Sequence, residues 1–217
     1  MHDTQESDSE QSRLWNGPAG RAWVDRQPLL DRLFAPLGTL LIESLAGHSL
    51  GRVLDVGCGT GAVTLALASP SGDAGECVGI DISAPMIEAA RARAEARGLE
   101  NIAFQRAGFL SFEARDLDLI TTKNALHHLP DFWKAMALAR MHGALKPGGR
   151  LYIRDVMFAA PPHRLAQAVE DWIGWLAANT GYSREEAASH VREEHSTFAW
   201  AIARMLAAHP AVEVVRY

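Results

Sequence analysis

The segment "RVLDVGCGTGAVTLAL", from Arg52 to Leu67, constrains the fold more than any other part of the chain. Its first residues predict a buried strand of leucine and β-branched side chains, which three glycines at alternate positions bring to an end. The run "GAVTLALA" then begins a helix without an intervening loop. A strand that enters a helix through a tight glycine turn is typical of α/β folds, and the turn is a place where a ligand can approach bare main chain.

The same kind of pattern continues along the next part of the chain. Helical runs are interleaved with strand-like runs, without hairpin signals, and Gly98 stands where a helix end favours a left-handed residue. The strand-like runs are "ECVGIDI", "NIAFQRA", "DLDLITTK" and "GRLYIRDV", and "KPGG" separates the last of them from the helix before it. This order predicts a doubly wound α/β fold with a mostly parallel sheet.

We predict a single domain made of four segments. Residues 1–12 are polar and acidic and predict a disordered tail. Residues 13–48 carry apolar side chains at helical spacing, interrupted at Pro28 and Pro36, and predict an N-terminal helical lid. Residues 49–158 form the α/β core, and residues 159–217 form a helical cap that ends in the strand-like "AVEVVRY".

Composition narrows the classes of partner and compartment. A net charge of -5 without a block of lysine and arginine disfavours nucleic acid and anionic membrane surfaces as partners. Two cysteines, Cys58 and Cys77, cannot build a disulfide framework, and no Cys/His spacing indicates a metal site. The polar start lacks the features of a secretory signal, and no run of about 18 apolar residues follows. We expect a cytoplasmic protein.

The glycine turn fits more than one nucleotide-like ligand. Gly57, Gly59 and Ala62 satisfy a loose dinucleotide fingerprint, which keeps an NAD-dependent oxidoreductase as an alternative. Asp55, however, would repel a pyrophosphate at the helix start and favour a ligand with an ammonium and a sulfonium group, as in S-adenosylmethionine. Asp81 closes the second strand, where an acid can accept hydrogen bonds from both ribose hydroxyls.

Four motifs in this order resemble the class I S-adenosylmethionine-dependent methyltransferases: "VLDVGCGTG", "VGIDIS", "ALHHLPD" and "LKPGGRLYI". The resemblance covers about Leu50 to Val156. The stretch "WNGPAGRAWVDRQPLLDRLFAPLG" is also similar to the N-terminal segment of some small-molecule methyltransferases in this superfamily. The resemblance implies a Rossmann-like methyltransferase fold, S-adenosylmethionine as cofactor and S-adenosylhomocysteine as product.

The resemblance also implies which residues bind the cofactor. The methionine part would be surrounded by Asp55, Gly57, Cys58, Gly59 and Gly61; the ribose would be held by Asp81, and the adenine would lie beside Ile82 and Met86. Asn124 and Ala125 would lie beside the sulfonium, and Arg13, Trp15, Trp23 and Gln27 could fold over the cofactor as a lid. Gly108 stands where the family commonly has an acid that binds the adenine amino group. Backbone groups there and packing of Phe109 would take over that task.

The candidate catalytic residues follow the fourth strand. His127 and His128 could each act as a general base, because an imidazole titrates near neutral pH, and Asp155 is a second candidate. A base is needed only where the methyl acceptor carries a proton, since alignment supplies much of the rate. Asn124 could orient the ammonium of the cofactor or cap the next turn.

We expect the acceptor to be a small molecule. Aromatic residues in the cap would surround it: Trp172, Trp175, Phe198 and Trp200. Amino-methylation of a nucleobase is disfavoured, because "TTKNAL" lacks a Pro-Pro-aromatic turn. A non-catalytic protein that binds S-adenosylmethionine remains a second alternative. Because only "VEVVRY" remains for the final strands, we expect an unpaired sheet edge that would favour a homodimer.

Overall fold

The computed structural model describes residues 10–45, 50–71 and 75–209. The chain divides into two compact units. The first unit contains the chain up to Ala125 together with Arg140–Arg154, and the second contains Leu126–Ala139 and the residues from Asp155 onwards. The predicted α/β core of residues 49–158 therefore contributes residues to both units, because the turn after the fourth strand packs with the C-terminal segment.

The first unit is built on a parallel five-stranded sheet in the order β3-β2-β1-β4-β5. The strands are β1 (Arg52–Val56), β2 (Glu76–Asp81), β3 (Ile102–Arg106), β4 (Leu117–Lys123) and β5 (Leu145–Arg154). The chain order reverses direction across the sheet between β1 and β4, so the carboxyl ends of these two strands flank the switch point where such folds bind ligands. The predicted doubly wound fold is confirmed.

Helices flank this sheet. They are α1 (residues 10–15), α2 (Pro18–Asp25), α3 (Gln27–Ser44), α4 (Ala62–Ser71) and α5 (Ala84–Glu95). The tail predicted for residues 1–12 therefore overlaps α1, while residues 1–9 lie outside the described ranges. The interruption predicted at Pro36 is wrong, since this residue lies inside α3, where its missing N–H removes one helical hydrogen bond without ending the helix.

Two of the apolar clusters among the described residues anchor the helices to the sheet. The larger one joins α3 and α4 to β1, β2 and β4, and consists of Leu41, Leu45, Leu50, Val53, Val63, Leu67, Ala68, Cys77 and Leu119. The smaller one joins α4, α5 and β3, and consists of Leu65, Ile87, Ala90, Ala94 and Phe104. Because α4 contributes to both clusters, the helix that follows the glycine turn is fixed on two sides.

The "KPGG" segment belongs to a strand, although we predicted it as a separator between helix and strand. Leu117 pairs with Leu145, but Leu119 pairs with Arg150, so β5 carries extra residues between these two pairs. Gly148 takes a φ of 80° within this irregularity, a conformation that glycine adopts without steric cost.

The second unit is mainly helical. It contains a 3-10 turn (Leu126–His128), the start of α6 (Asp131–Ala144), a second 3-10 turn (Pro162–Arg164), α7 (Leu165–Asn179), α8 (Arg184–Glu193) and α9 (Ala199–Ala207). Two short strands, β6 (Met157–Phe158) and β7 (Thr197–Phe198), pair in parallel. The predicted final strand at residues 211–217 lies outside the described residues.

Local sequence explains how α7 and α8 pair. Ser183 and Glu186 form a capping box at the start of α8: the Ser183 hydroxyl accepts from the Glu186 N–H, and the Glu186 carboxylate accepts from the Ser183 N–H. Ile173, Leu176 and Ala187 then form the buried core between the two helices. Within the described ranges, no helix combines the length and apolar character needed to cross a bilayer.

Candidate functional site

The N–H groups of the glycine turn between β1 and α4 donate hydrogen bonds within the protein. The N–H groups of Gly57 and Cys58 both donate to the Ile80 carbonyl, at 2.9 and 3.0 Å, and that of Gly61 donates to the Cys58 carbonyl at 2.9 Å. The Gly59 N–H donates to the Asp81 carboxylate at 2.8 Å. A phosphate bound here would have to displace these bonds and face a carboxylate, so the turn is unsuited to a pyrophosphate.

Bare main chain at this turn is a steric requirement. Gly57, Gly59 and Gly61 all have positive φ, at 71°, 54° and 81°. A Cβ on Gly57 would lie 2.4 Å from the Ala125 Cβ and 3.5 Å from the Phe109 ring. The turn therefore lies directly against two of the predicted cofactor residues.

We expect Gly57→Ala to destabilise the protein by about 2–4 kcal/mol, because the new Cβ adds a close contact to the strain of a positive φ. Gly98→Ala is the matched control, since Gly98 also has a positive φ of 63° but has nothing within 4 Å of an added Cβ. This control should cost about 1 kcal/mol. Chemical denaturation measures both values, and equal losses would contradict the close contact.

Asp81 links the glycine turn to the start of α5. One carboxylate oxygen accepts from the Gly59 N–H and the other from the Ser83 N–H, each at 2.8 Å. Burial raises the pKa of Asp81, although these two hydrogen bonds oppose the rise. Each oxygen of an ionised carboxylate can accept a second hydrogen bond. Asp81 can therefore organise the turn and still accept the hydroxyls of a ribose.

The N-terminal segment packs against the loop that follows Asp81. The Ser83 hydroxyl donates to the Trp15 carbonyl at 2.7 Å, and Trp15 meets Trp23 edge to face with ring centroids 6.1 Å apart. Asn16 accepts from the Ala84 N–H at 2.8 Å and donates to the Ile82 carbonyl at 3.1 Å. The sequence analysis missed Asn16, although it belongs to the quoted "WNGPAG" motif.

The residues predicted to lie around the adenine differ in which of their groups remain free to contact a ligand. The Gly108 N–H donates to the Ser111 hydroxyl at 3.0 Å, and its carbonyl accepts from the N–H groups of Ser111 and Phe112. The backbone of Gly108 is thus engaged in its own turn. Phe109 and Met86 remain as apolar groups beside the glycine turn, since Met86 Sδ lies 3.7 Å from a Cβ built on Gly59.

Asp55 is a buried carboxylate at the end of β1. The Thr64 hydroxyl of α4 donates to it at 2.7 Å. Burial raises the pKa of Asp55 to about 6, against the Thr64 hydrogen bond and the positive charge of Lys123, which both lower it. An acid in this position can bind a cation when ionised and becomes neutral in mildly acidic solution.

Asn124 connects the ends of β4 and β5. It has a left-handed backbone with a φ of 52°, its N–H donates to the Arg154 carbonyl at 2.9 Å, and its side-chain oxygen accepts from the Arg154 guanidinium at 2.8 Å. These bonds hold Ala125, the next residue, against Gly57. Contact of Asn124 with the ammonium of the cofactor remains a prediction.

The second unit contains a chain of buried ionisable groups that begins at the predicted histidines. His127 Nδ1 bonds to the Asp155 carboxylate, whose other oxygen accepts from the His127 N–H at 3.1 Å. His127 Nε2 lies 3.5 Å from Glu194 Oε1, which also lies 2.9 Å from His190 Nε2. The side chains of His127, Asp155 and Glu194 are no more than 5% exposed.

The pKa values of the two adjacent histidines shift in opposite directions. Burial alone would lower the pKa of His127, but Asp155 and Glu194 outweigh it and raise that pKa, because each ring nitrogen lies beside a carboxylate that favours the protonated form. Burial, followed by repulsion from His127 and His190, lowers the pKa of His128 well below its ordinary value. His128 is therefore neutral at pH 7.

A buried lysine fixes the neighbouring part of this unit. Lys134 in α6 donates to Asp131 at 2.9 Å and to the His195 carbonyl, and Asp131 also accepts from the Thr197 hydroxyl at 3.0 Å.

The predicted acceptor-site aromatics form two stacked pairs: Trp172 with Trp175 at 5.1 Å and Phe198 with Trp200 at 5.7 Å. Their role in acceptor binding remains a prediction.

All of the predicted cofactor residues belong to the first unit, whereas His127 and His128 belong to the second. The sequence analysis missed Glu194 and Lys123 as well as Asn16. Among the described residues, no group of three histidine, cysteine or acidic side chains could hold a metal ion.

Comparison with known proteins places the chain in a family. Residues 47–201 match the family described as "Methyltransferase domain". The chain is 39% identical over 129 residues to aklanonic acid methyltransferase DauC of Streptomyces sp. (strain C5), and 38% identical over 117 residues to ribosomal RNA small subunit methyltransferase C of Citrobacter koseri. These matches cover 58% and 52% of the chain, and 58% and 34% of the two relatives.

A solved structure shares the fold. The YcgJ protein from Bacillus subtilis has a TM-score of 0.60 at 25% identity, over 79% of this chain and 66% of that one.

Proposed function

Because the chain belongs to the methyltransferase domain family, we propose that it transfers a methyl group from S-adenosylmethionine to a small-molecule acceptor. One observation carries the proposal: buried carboxylates, Asp55 and Asp81, flank a glycine turn whose N–H groups are already bonded within the protein. Such a turn favours a cationic adenosyl ligand over a dinucleotide. The NAD-dependent alternative is therefore disfavoured.

The residues of the first unit would divide the work of binding. When bound, S-adenosylmethionine supplies an activated methyl group on a positively charged sulfur. Asp81 would hold the ribose hydroxyls, Asp55 would face the positive end of the methionine part, and Phe109 with Met86 would pack against the adenine. Rigid positioning of this kind lowers the barrier for an in-line displacement.

We expect Asp55 to make cofactor binding depend on pH. Because its pKa is raised to about 6, S-adenosylhomocysteine should bind about tenfold more weakly at pH 5 than at pH 7, as the carboxylate becomes neutral. Asp55→Asn should bind weakly at both pH values. Calorimetric titration across this range measures the effect, and an equally steep pH dependence in the variant would assign it to another group, such as Asp81.

The stability of the ligand-free protein should change with pH in the opposite direction to the affinity for S-adenosylhomocysteine. A carboxylate with a raised pKa stabilises the folded state only while it holds its proton, so this contribution is lost as the pH rises through about 6. Asp55→Asn should therefore be more stable than the wild type at pH 8 in the absence of ligand.

For acceptors that carry a proton, we propose a histidine as the general base. His128 is neutral at pH 7 and can accept a proton, whereas Asp155 and Glu194 raise the pKa of His127, which would act by position and charge. On this proposal, His128→Ala lowers kcat and leaves the affinity for S-adenosylhomocysteine nearly unchanged.

The class of acceptor rests on charge and on similarity. The named substrate of the Streptomyces relative supports a small organic molecule, whereas the Citrobacter relative acts on ribosomal RNA. A net charge of -5 without a basic cluster in the sequence argues against RNA, whose binding needs phosphate contacts from lysine and arginine.

The direct test is transfer of a labelled methyl group from S-adenosylmethionine. We expect product with at least one compound in a panel of phenols, quinols, carboxylic acids and amines, and none with ribosomal RNA. Labelled RNA without any labelled small molecule would overturn the acceptor class. Donor binding without transfer to any acceptor would favour the non-catalytic alternative.

A further inference from the structure

Lys123, the last residue of β4, is a largely buried cation. Its ammonium lies over the Phe34 ring, 4.9 Å from the centroid. Burial lowers the pKa of Lys123, while Asp55 and Asp31 raise it. Across the parts of the chain that the structure describes, the Lys123 ammonium forms no ion pair and no hydrogen bond. Burying an ammonium group without a bonded anion costs free energy. Such a group is therefore a candidate for binding an anionic ligand.

The neighbouring acids do not form an ion pair with the Lys123 ammonium. Asp31 accepts from the Arg93 guanidinium and from the Gln27 amide at 2.5 Å each, so α3 and α5 already use this carboxylate. Asp55 accepts from the Thr64 hydroxyl. Both acids act on Lys123 through space without a direct contact.

The register of the sheet places Lys123 and Asp55 on one face. Asp55 in β1 pairs with Thr121 in β4, and because side chains alternate along a strand, Lys123 points to the same face as Thr121. The buried Thr121 hydroxyl lies on this face and has no hydrogen-bond partner among the described residues. One face at the carboxyl ends of β1 and β4 thus offers an anion, a hydroxyl and a cation.

We propose that Lys123 binds the α-carboxylate of the methionine part of the donor, while Asp55 faces its α-ammonium. The inference rests on the donor assigned under Proposed function. An amino acid carries opposite charges on two groups attached to one carbon, so a cation and an anion on adjacent strands match it in sign and order. A lysine suits this task as a compact point charge, and desolvation strengthens its attraction for a carboxylate.

A double-mutant cycle with a modified ligand tests this assignment. The probes are S-adenosylhomocysteine and its decarboxylated analogue, which keeps the amine and lacks only the carboxylate. Calorimetry should show that the wild type binds S-adenosylhomocysteine about tenfold to a hundredfold more tightly than the analogue. Lys123→Met should bind both ligands with similar affinity, and Lys123→Arg should keep most of the preference.

One control and one replacement variant make the outcomes distinct. Lys146→Met removes an exposed lysine that pairs with Asp118, and it should leave the preference unchanged. If Lys123→Met does not fold, Lys123→Gln replaces it. An equal loss of affinity for both ligands would mean that Lys123 acts only on the charge of Asp55, and an intact preference would exclude the carboxylate contact. Either result overturns the inference, whereas a wild type that binds neither ligand overturns the donor itself.

Discussion

Asp81→Asn is expected to weaken the binding of S-adenosylhomocysteine about a hundredfold. The carboxylate holds the N–H groups of Gly59 and Ser83 and keeps one acceptor site on each oxygen for a ribose hydroxyl. An amide offers one oxygen and directs N–H donors at one of these main-chain donors, so at least one charge-assisted bond is lost and one repulsive contact is created. The lost bond and the repulsive contact together account for the expected hundredfold weakening of binding.

Asp118→Asn serves as the control for this prediction. Asp118 also accepts a main-chain N–H, that of Arg52, but it lies at the start of β4, away from the carboxyl ends of the strands. We expect this variant to bind S-adenosylhomocysteine like the wild type, with calorimetry as the measurement. A similar loss in both variants would show that any disturbance of the sheet weakens binding, and Asp81 would lose its assigned role.

The second large effect concerns His127. His127→Ala should lower the free energy of unfolding by about 3–5 kcal/mol, because it leaves the buried carboxylates of Asp155 and Glu194 without the cation between them. His163→Ala is the matched control in the same unit, since this histidine is exposed, and it should cost little. Chemical denaturation with and without each substitution provides the comparison.

The pH dependence of this effect has a definite sign. The raised pKa of His127 means that the folded state holds the proton more tightly, so the stabilisation is complete below the ordinary histidine pKa of 6.5 and is lost as the pH rises above the raised value. The difference between the wild type and His127→Gln should therefore be larger at pH 6 than at pH 9. A difference that grows with pH would show that His127 is neutral in the folded protein.

Local patterns in the sequence were enough to predict the fold and the glycine turn between β1 and α4. The glycines after "RVLDV" indicate a strand-to-helix turn, and all three take a positive φ in the structure. Asp55 and Asp81 are fixed by strand ends, which hydrophobic patterning indicates well. These signals lie within a few residues of one another, so a single sequence carries them.

Features that depend on contacts between distant segments were not predictable. Asn16 bonds to a loop that begins at Ile82, and Glu194 lies against His127, yet neither pair is marked by any spacing along the chain. Lys123 lies on the same face of the sheet as Asp55 because of the register of β4 on β1. Pro36 shows the same limit in local structure, because a helix stabilised by an apolar face tolerates a proline that propensity alone would exclude.

The two histidines illustrate how burial changes an assignment. Residue type alone makes His127 and His128 equivalent candidates for a base, since both have the same ordinary pKa. The carboxylates around His127 raise its pKa, and the positive charge of His127 helps to lower that of His128. The difference between them arises from Asp155 and Glu194, which follow them in the chain by many residues.

Calorimetric titration of the purified protein with S-adenosylhomocysteine, and separately with NADH, tests the central claim most directly. We predict a single binding isotherm with one S-adenosylhomocysteine per chain and no heat of binding from NADH. Saturable heat from NADH together with none from S-adenosylhomocysteine would contradict the claim that the glycine turn, Asp55 and Asp81 bind an adenosyl methyl donor.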